Sequence, residues 1–380
     1  MSSAGSRDDS REAELRDRLA TAKRVVIKIG SSAIASVGPG VHRDRLEFLA
    51  DAAEARMTAG SDVFMVSSGA VAAGMAPLGL ERRPRDIASK QAVSSVGQAE
   101  LAGAWGEAFA RHGRTTGLVL LTATDIGRRD TARNAQRTLD KMRTLGIVPI
   151  INENDAIATY EFHFGDNDRL AALVSHLLSA DALILLSDVD AMYDRNPVEP
   201  GARRISFVGR DDPLADVEAG DGGALGTGGM ASKLAAAKLA ADAGVPVLLT
   251  SAELAGAAVA PGFSGGTVFE PRPERMSARR FWVRHVADAT GSVTLDDGAV
   301  SAISAGPRRS LLVAGISGVE RGFFKGDVIE LLDARGKRVG RGIAGYDATE
   351  LRELLELRRA ATEKDGLGRP LVHADDLVVV

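Results

Sequence analysis

The sequence predicts an α/β protein: a three-layer αβα sandwich on a mostly parallel open sheet, followed by a smaller, mostly β domain. Three observations carry that expectation. Apolar strand-like runs alternate with helical segments through the first two thirds of the chain, the mark of a parallel sheet with helices on both faces. Beyond residue 280 the texture changes to short runs broken by Gly and Asp turns. At 380 residues the chain is too long for one ordinary domain.

Met1 to Arg18 mixes Ser, Arg, Asp and Glu without an apolar stretch. Residues 1–20 are therefore expected to be a disordered tail, with no signal peptide and a cytoplasmic location. Val25 to Ile29 reads as the first strand, with Lys28 inside it and Gly30-Ser31-Ser32 after it. A buried lysine is costly unless it meets an anion, and the adjoining N–H and hydroxyl donors suit phosphate. His42 to Ala59 is helical, with Leu46, Leu49, Ala53 and Met57 on one face and Gly60 as its stop. Asp62 to Val66 is a strand that ends in Ser67-Ser68-Gly69-Ala70.

Ser89 to Arg111 is a long helix, Leu118 to Leu121 a strand, and Asp130 to Leu145 a further helix closed by Gly146. The stretch IVPIINENDAIATYEFHFGDND, from Ile147 to Asp168, follows. It opens as a wholly apolar strand and turns abruptly to Asn152-Glu153-Asn154-Asp155. A second polar cluster, Asp166-Asn167-Asp168, opens an apolar helix. Asn and Asp are poor strand formers, yet at the carboxyl end of a parallel strand they face the ligand crevice. Ala182 to Leu186 is a strand ending in Ser187-Asp188. Gly220 to Lys233 is glycine-rich and leads into the helix Ala231 to Ala243, an arrangement that can wrap phosphates. Val245 to Leu249 completes the sheet.

Residues 263–280, rich in Gly, Pro and Arg, are expected to link a first domain, 21–262, to a second, 281–380. In the second, strands are expected at Gly291–Leu295, Ser310–Val313, Asp327–Leu332 and Arg338–Ile343, with a helix over Thr349–Arg359.

Composition narrows the chemistry. The chain has no cysteine, which excludes disulfides, thiol catalysis and Cys-ligated metals. No apolar run reaches the length of a membrane span. A net charge of −4 gives no bulk attraction for nucleic acid. Residues 281–380, with 14 Lys and Arg against 15 Asp and Glu, offer none either. His176 lies within an apolar helix, where it reads as structural, and no cluster has zinc-ligand spacing.

Two lysines, Lys28 in a strand and Lys233 in the first turn of the helix after the glycine loop, thus stand among hydroxyls and amides. That inventory suits phosphoryl transfer from a nucleotide, where the protein mostly positions and neutralises charge. A carboxylate acceptor is already ionised and needs no general base. The two lysines, with Mg²⁺, would stabilise the transition state. Asn152, Asp155, Asn167 and Asp168 could hold an amino-acid substrate, with Asp155 or Asp168 accepting from its ammonium.

The motifs VVIKIGSS, SSGAVAAG, ASKQAVSSVGQ, INENDA, GDND and GTGGMASK, in this order, resemble the glutamate 5-kinases of the amino acid kinase family. The segment after residue 280 resembles a PUA domain. The resemblance implies transfer of phosphate from ATP to L-glutamate, giving L-glutamyl 5-phosphate, with Mg²⁺ and feedback inhibition by L-proline. It places Lys28, Lys233 and Asp168 in catalysis, and Ser68, Gly69, Asp155 and Asn167 on glutamate with Asn152 in support. Lys28, Gly30, Ser187, Asp188, Thr227, Gly228, Gly229, Met230, Ala231, Ser232 and Lys233 would bind ATP. It leaves the metal-ligating groups unassigned. It also implies a homo-oligomer, dimer or tetramer, and hand-over of product to glutamyl phosphate reductase. Ala191-Met192 stands where Gly-Leu is common in the family, so the turn before Tyr193 is expected to be altered.

Other readings rank below this one. They are a kinase for another small carboxylate, an RNA-binding protein acting through the PUA-like domain, and a catalytically dead proline sensor.

Overall fold

The computed structural model describes residues 2–37, 40–158, 167–210, 212, 229–306, 309–360 and 369–379. The chain divides into two units, Met1–Arg275 and Met276–Val380.

The first unit opens with helix α1 (Ser2–Thr21) and strand β1 (Arg24–Ile29). Helix α2 (Arg43–Thr58), strand β2 (Asp62–Ser67), the short helix α3 (Ala70–Met75) and the long helix α4 (Ile87–Ala110) follow. Next come β3 (Thr115–Leu121), α5 (Arg129–Thr144), β4 (Ile147–Glu153), α6 (Asn167–Leu177) and β5 (Ala182–Ser187). The unit closes with β6 (Phe207–Val208), α7 (Met230–Asp242), β7 (Val247–Ser251) and β8 (Thr267–Phe269).

The eight strands form one sheet in the order β6-β8-β7-β5-β1-β2-β4-β3. Every neighbouring pair is parallel except β7 with β8. The apolar strands explain this: Val25, Val26, Ile27 and Ile29 of β1 are all buried, as are all six residues of β5, so helices must cover both faces. One face packs Val25, Ile27, Met65, Ile150 and Ile184 against Leu46, Leu49, Leu101, Trp105 and Phe109 of α2 and α4. The other face carries α6, packed on β1, with α7 against α6. Lys28 falls on the same side of β1 as Val26, because side chains alternate along a strand.

Three expectations are corrected. The N-terminal segment is a helix, not a disordered tail. Leu15 and Leu19 lie one turn apart and bury themselves in the sheet core, while charged residues cover the outer face. The buried guanidinium of Arg56 then fastens the end of α1. It donates to the carbonyls of Leu19 at 2.8 Å, Ala20 at 2.5 Å, Ala22 at 3.0 Å and Val259 at 3.0 Å. Within the stretch expected as a linker, Thr267–Phe269 is β8, whose buried side chains fill the sheet beside β7. Ser310–Val313 makes only a single bridge, Leu311 with Val372, before a turn of 3-10 helix at Val313–Gly315.

The second unit has strands β9 (Gly291–Leu295), β10 (Ile316–Glu320), β11 (Val328–Leu332), β12 (Arg338–Ile343) and β13 (Leu377–Val379). Helices α8 (Asp297–Ser304) and α9 (Ala348–Ala360) lie between them. The sheet order is β10-β9-β11-β12-β13, with only β9 and β11 parallel. Val293, Leu295, Ile329, Leu331, Leu351 and Leu355 form its core.

Candidate active site

Parallel strands present their carboxyl ends at one edge, and the polar ends of β1, β2, β4 and β5 lie there. Lys28 lies level with Val66 and Leu185, Ile29 with Ser67, and Ser187 with Ser251. Val66 pairs with Ile151, which brings Asn152 alongside Ser67.

The centre of this edge is an ion cluster between two helices and a strand. The Lys28 ammonium lies 2.6 Å from Oδ1 of Asp168, and the Lys233 ammonium 3.8 Å from Oδ2. Lys28 comes from β1, Asp168 from the first turn of α6 and Lys233 from the first turn of α7. All three are buried, Asp168 to 2% exposure. Burial pushes the Asp168 carboxyl up. Lys28 and Lys233, with a hydrogen bond from Ser232, outweigh it and hold the group below the ordinary aspartate range. Two cations thus share one anion in a nearly dry place, and this suits the binding of a further anion.

Beside the cluster, Asn167 is buried, and its Oδ1 has no hydrogen-bond partner among the described residues. An orphaned buried carbonyl is costly, and a ligand donor can satisfy it. Asp155 is also buried, and the Ser94 hydroxyl donates to its Oδ2. Burial pushes the Asp155 carboxyl up; the Ser94 hydrogen bond and the charge of Arg83 offset part of that. Burial in turn lowers the Arg83 guanidinium, with Asp155 opposing. Ser68 is buried, and Gly69 follows it at φ +93°, a conformation that favours glycine.

Asn152 is turned inward. Its Nδ2 donates to Gln98 Oε1 at 3.0 Å, and its Oδ1 accepts from the Glu153 N–H at 2.9 Å. Ser187 donates to Asp188 Oδ1 at 2.8 Å, with Asp188 exposed. Gly30 donates its N–H to Leu186 O at 3.0 Å, tying the turn after β1 to β5. Gly229 precedes α7 in extended conformation, and Met230, Ala231, Ser232 and Lys233 form the first turn. Thr227 and Gly228 lie outside the described residues. Ala191 is buried and does not take positive φ, so its turn is made without a glycine-only conformation. His176 is half-buried on α6, and desolvation with the field of Arg275 lowers its pKa to about 4, so it is neutral near pH 7.

Four residues to which sequence reasoning gave no site role stand around the site: Arg83, Ser94, Gln98 and Trp105. The last three share one face of α4. Trp105 donates its indole N–H to Ser67 Oγ at 3.0 Å. Their signal was the polar Ser94 and Gln98 lying in register with the apolar stripe of Leu101 and Trp105.

Residues 23–251 match the amino acid kinase family, and residues 291–364 match the PUA domain. The chain is 59% identical over 366 residues to a glutamate 5-kinase of Nocardia farcinica, covering 96% of this chain and 99% of that protein. It is 58% identical over 363 residues to a glutamate 5-kinase of Rhodococcus opacus, with 96% and 98% covered. The figure for a glutamate 5-kinase of Corynebacterium diphtheriae is 55% over 365 residues, with 96% of each covered. With both units matched and the relatives aligned along nearly their whole length, the chain belongs to the glutamate 5-kinase family, an amino acid kinase unit joined to a PUA domain.

Proposed function

We propose that this enzyme transfers the γ-phosphoryl group of ATP to the side-chain carboxylate of L-glutamate, giving L-glutamyl 5-phosphate, the first step of proline synthesis. The observation that carries the reading is Asp168 held between Lys28 and Lys233 at the carboxyl edge of a parallel sheet, beside an Asn167 carbonyl with no partner among the described residues.

In this reading the two ammonium groups take the phosphates. Lys28 meets the transferred group and Lys233 the nucleotide side, while Asp168 keeps both aligned as their positioning residue. The negative charge that spreads over the equatorial oxygens meets preorganised cations, so little reorganisation is needed at the moment of transfer. The glutamate carboxylate attacks directly, with no general base. Asp155 accepts from the substrate ammonium, and Asn167 Oδ1 accepts a second of its protons. The Ser68-Gly69 turn receives the α-carboxylate. Gly30, Ser187, Asp188 and the segment from Thr227 to Lys233 bind ATP.

Mg²⁺ would ride on the nucleotide. Among the described residues no three carboxylates or imidazoles gather into a metal cage. Asp168 is already engaged by two ammonium groups, and Mg²⁺ is commonly held by phosphate oxygens and water with few protein ligands. Bound there, it supplies further neutralisation of phosphate charge.

Feedback inhibition by L-proline, a cytoplasmic location, a dimer or tetramer, and hand-over of the product to glutamyl phosphate reductase belong to the same proposal. They rest on the family alone. No helix among the described residues is long and apolar enough to cross a membrane.

The test is hydroxylamine trapping of the acyl phosphate from ATP and L-glutamate, with L-aspartate and N-acetylglutamate as controls, with and without L-proline. Hydroxamate formed with glutamate and suppressed by proline supports the reading. Hydroxamate formed only with another acid sinks the substrate assignment.

A further inference from the structure

Helix α4 carries a ladder of polar contacts to the strand ends. Ser94, Gln98 and Trp105 are four and seven residues apart, on one helical face, and all are buried. The Ser94 hydroxyl donates to Asp155 Oδ2, just beyond β4. Gln98 meets the last two residues of β4, and the Trp105 indole meets Ser67, the last residue of β2.

Gln98 sits in a closed ring. Asn152 Nδ2 donates to Gln98 Oε1 at 3.0 Å. Gln98 Nε2 donates to the Glu153 carbonyl at 3.1 Å. The Glu153 N–H donates to Asn152 Oδ1 at 2.9 Å. Immediately after, the Asn154 N–H bonds to Leu121 O at 3.0 Å, and the chain turns at Asp155. Both ends of the Gln98 amide are therefore committed to the point where the chain leaves the sheet. Asn152 spends one amide proton and its oxygen on that same ring.

We infer that Gln98 is a positioning residue for the amino-acid substrate, acting through Asn152 and Glu153 to fix where Asp155 stands. This rests on the proposed function, in which Asp155 receives the substrate ammonium. Gln98 itself touches no reacting atom. A core amide with only a structural task would fix stability alone; this one holds the last strand residues two positions before the proposed ligand.

Gln98→Glu is the sharpest variant. It keeps the shape and can still accept from Asn152, but it cannot donate to the Glu153 carbonyl and sets a charge against it. Losing that one buried hydrogen bond is expected to raise the KM for L-glutamate about tenfold and leave the KM for ATP within about twofold. Ser94→Ala, which cannot introduce a charge, is expected to shift the same constant in the same direction. Gln98→Asn, tested for partial recovery, checks that amide chemistry matters. If wild type forms acyl phosphate from glutamate while Gln98→Glu folds with an unchanged glutamate KM, the positioning role is overturned and the proposed function stands. Both KM values rising together would overturn it equally. A Gln98→Glu protein that does not fold transfers the decision to Ser94→Ala, whose unchanged glutamate KM would overturn the ladder. A wild type that forms none from glutamate overturns the proposed function and this role with it.

Discussion

The ammonium of Lys28 and the carboxylate of Asp168 lie 2.6 Å apart with side-chain exposures of 7% and 3%. Lys233 approaches the other carboxylate oxygen, so neutralising Asp168 leaves two buried cations facing each other. Asp168→Asn is expected to cost about 3–5 kcal/mol, as breaking a buried pair does. Turnover should fall with it. The sign of the pH dependence follows from the depressed carboxyl. Its contribution is present above the unfolded aspartate range and is lost as pH falls below about 4. Thermal melts of wild type and variant across pH 3–7 check this: the gap between them should close at the acid end.

Asp155 behaves oppositely. Its carboxyl is raised by burial, so it protonates at a higher pH than an ordinary aspartate. Stability linked to this group is present at low pH and lost as pH rises through its folded value. Binding of an ammonium needs the ionised form. The kcat/KM for glutamate should therefore fall on acidification before the KM for ATP responds. Asp155→Asn should raise the glutamate KM by at least about tenfold and abolish that acid limb. A pH profile of both constants decides it, and an acid limb unchanged in the variant would assign it to another group.

Arg56 ties the end of α1 to the turn at Val259 through four carbonyls, at 3% exposure. Arg56→Ala removes every one of these donors and should cost about 2–4 kcal/mol, because buried acceptors are left unpaired. Its signature is a lower urea midpoint together with faster proteolysis near residues 8–21. If the midpoint does not move, α1 is held by its other contacts, Leu15 and Leu19 in the core and Arg16 on the Gly265 carbonyl.

The crossing of α3 over α4 allows no side chain. A Cβ on Gly97 would come 1.7 Å from Ala70 O, and one on Gly74 would come 1.9 Å from Val93 O. In both cases the obstacle is backbone, so the helices must part. Gly97→Ala is expected to destabilise by more than the roughly 1–3 kcal/mol usual for overpacking. Its melting temperature, compared with that of a surface Ala substitution such as Gly103→Ala, measures the difference; Cβ space at Gly103 is open.

Much of the site was legible in the sequence because apolar strands that end in Asn, Asp and Ser are unusual, and parallel topology gathers such ends. Asp155 was visible on that ground, Lys28 as a lysine inside an apolar strand, and Asn167 and Asp168 as the polar start of an apolar helix. Helix α1 was not. Its two buried leucines are outnumbered by charges on the face that meets water, so composition mimics a tail. Strand β8 has three residues, below the length at which alternation can be read. Gln98 was hidden for another reason. A helical stripe shows that a residue faces inward, but not that its amide meets a particular carbonyl fifty-five positions away.

The contact of Gly74 and Gly97 also bears on how the enzyme could change. Where two helices touch through main chain, their separation has no adjustable part, and a different residue cannot reset it by tenths of an ångström. Gly69, at the start of α3, and Ser94 and Gln98, on α4, inherit that fixed spacing. A variant that accepts a longer or shorter acid must then change the side chains these helices carry, because the helix pair, with Asp155 tied to it through Ser94, is the unmoving jaw of the clamp.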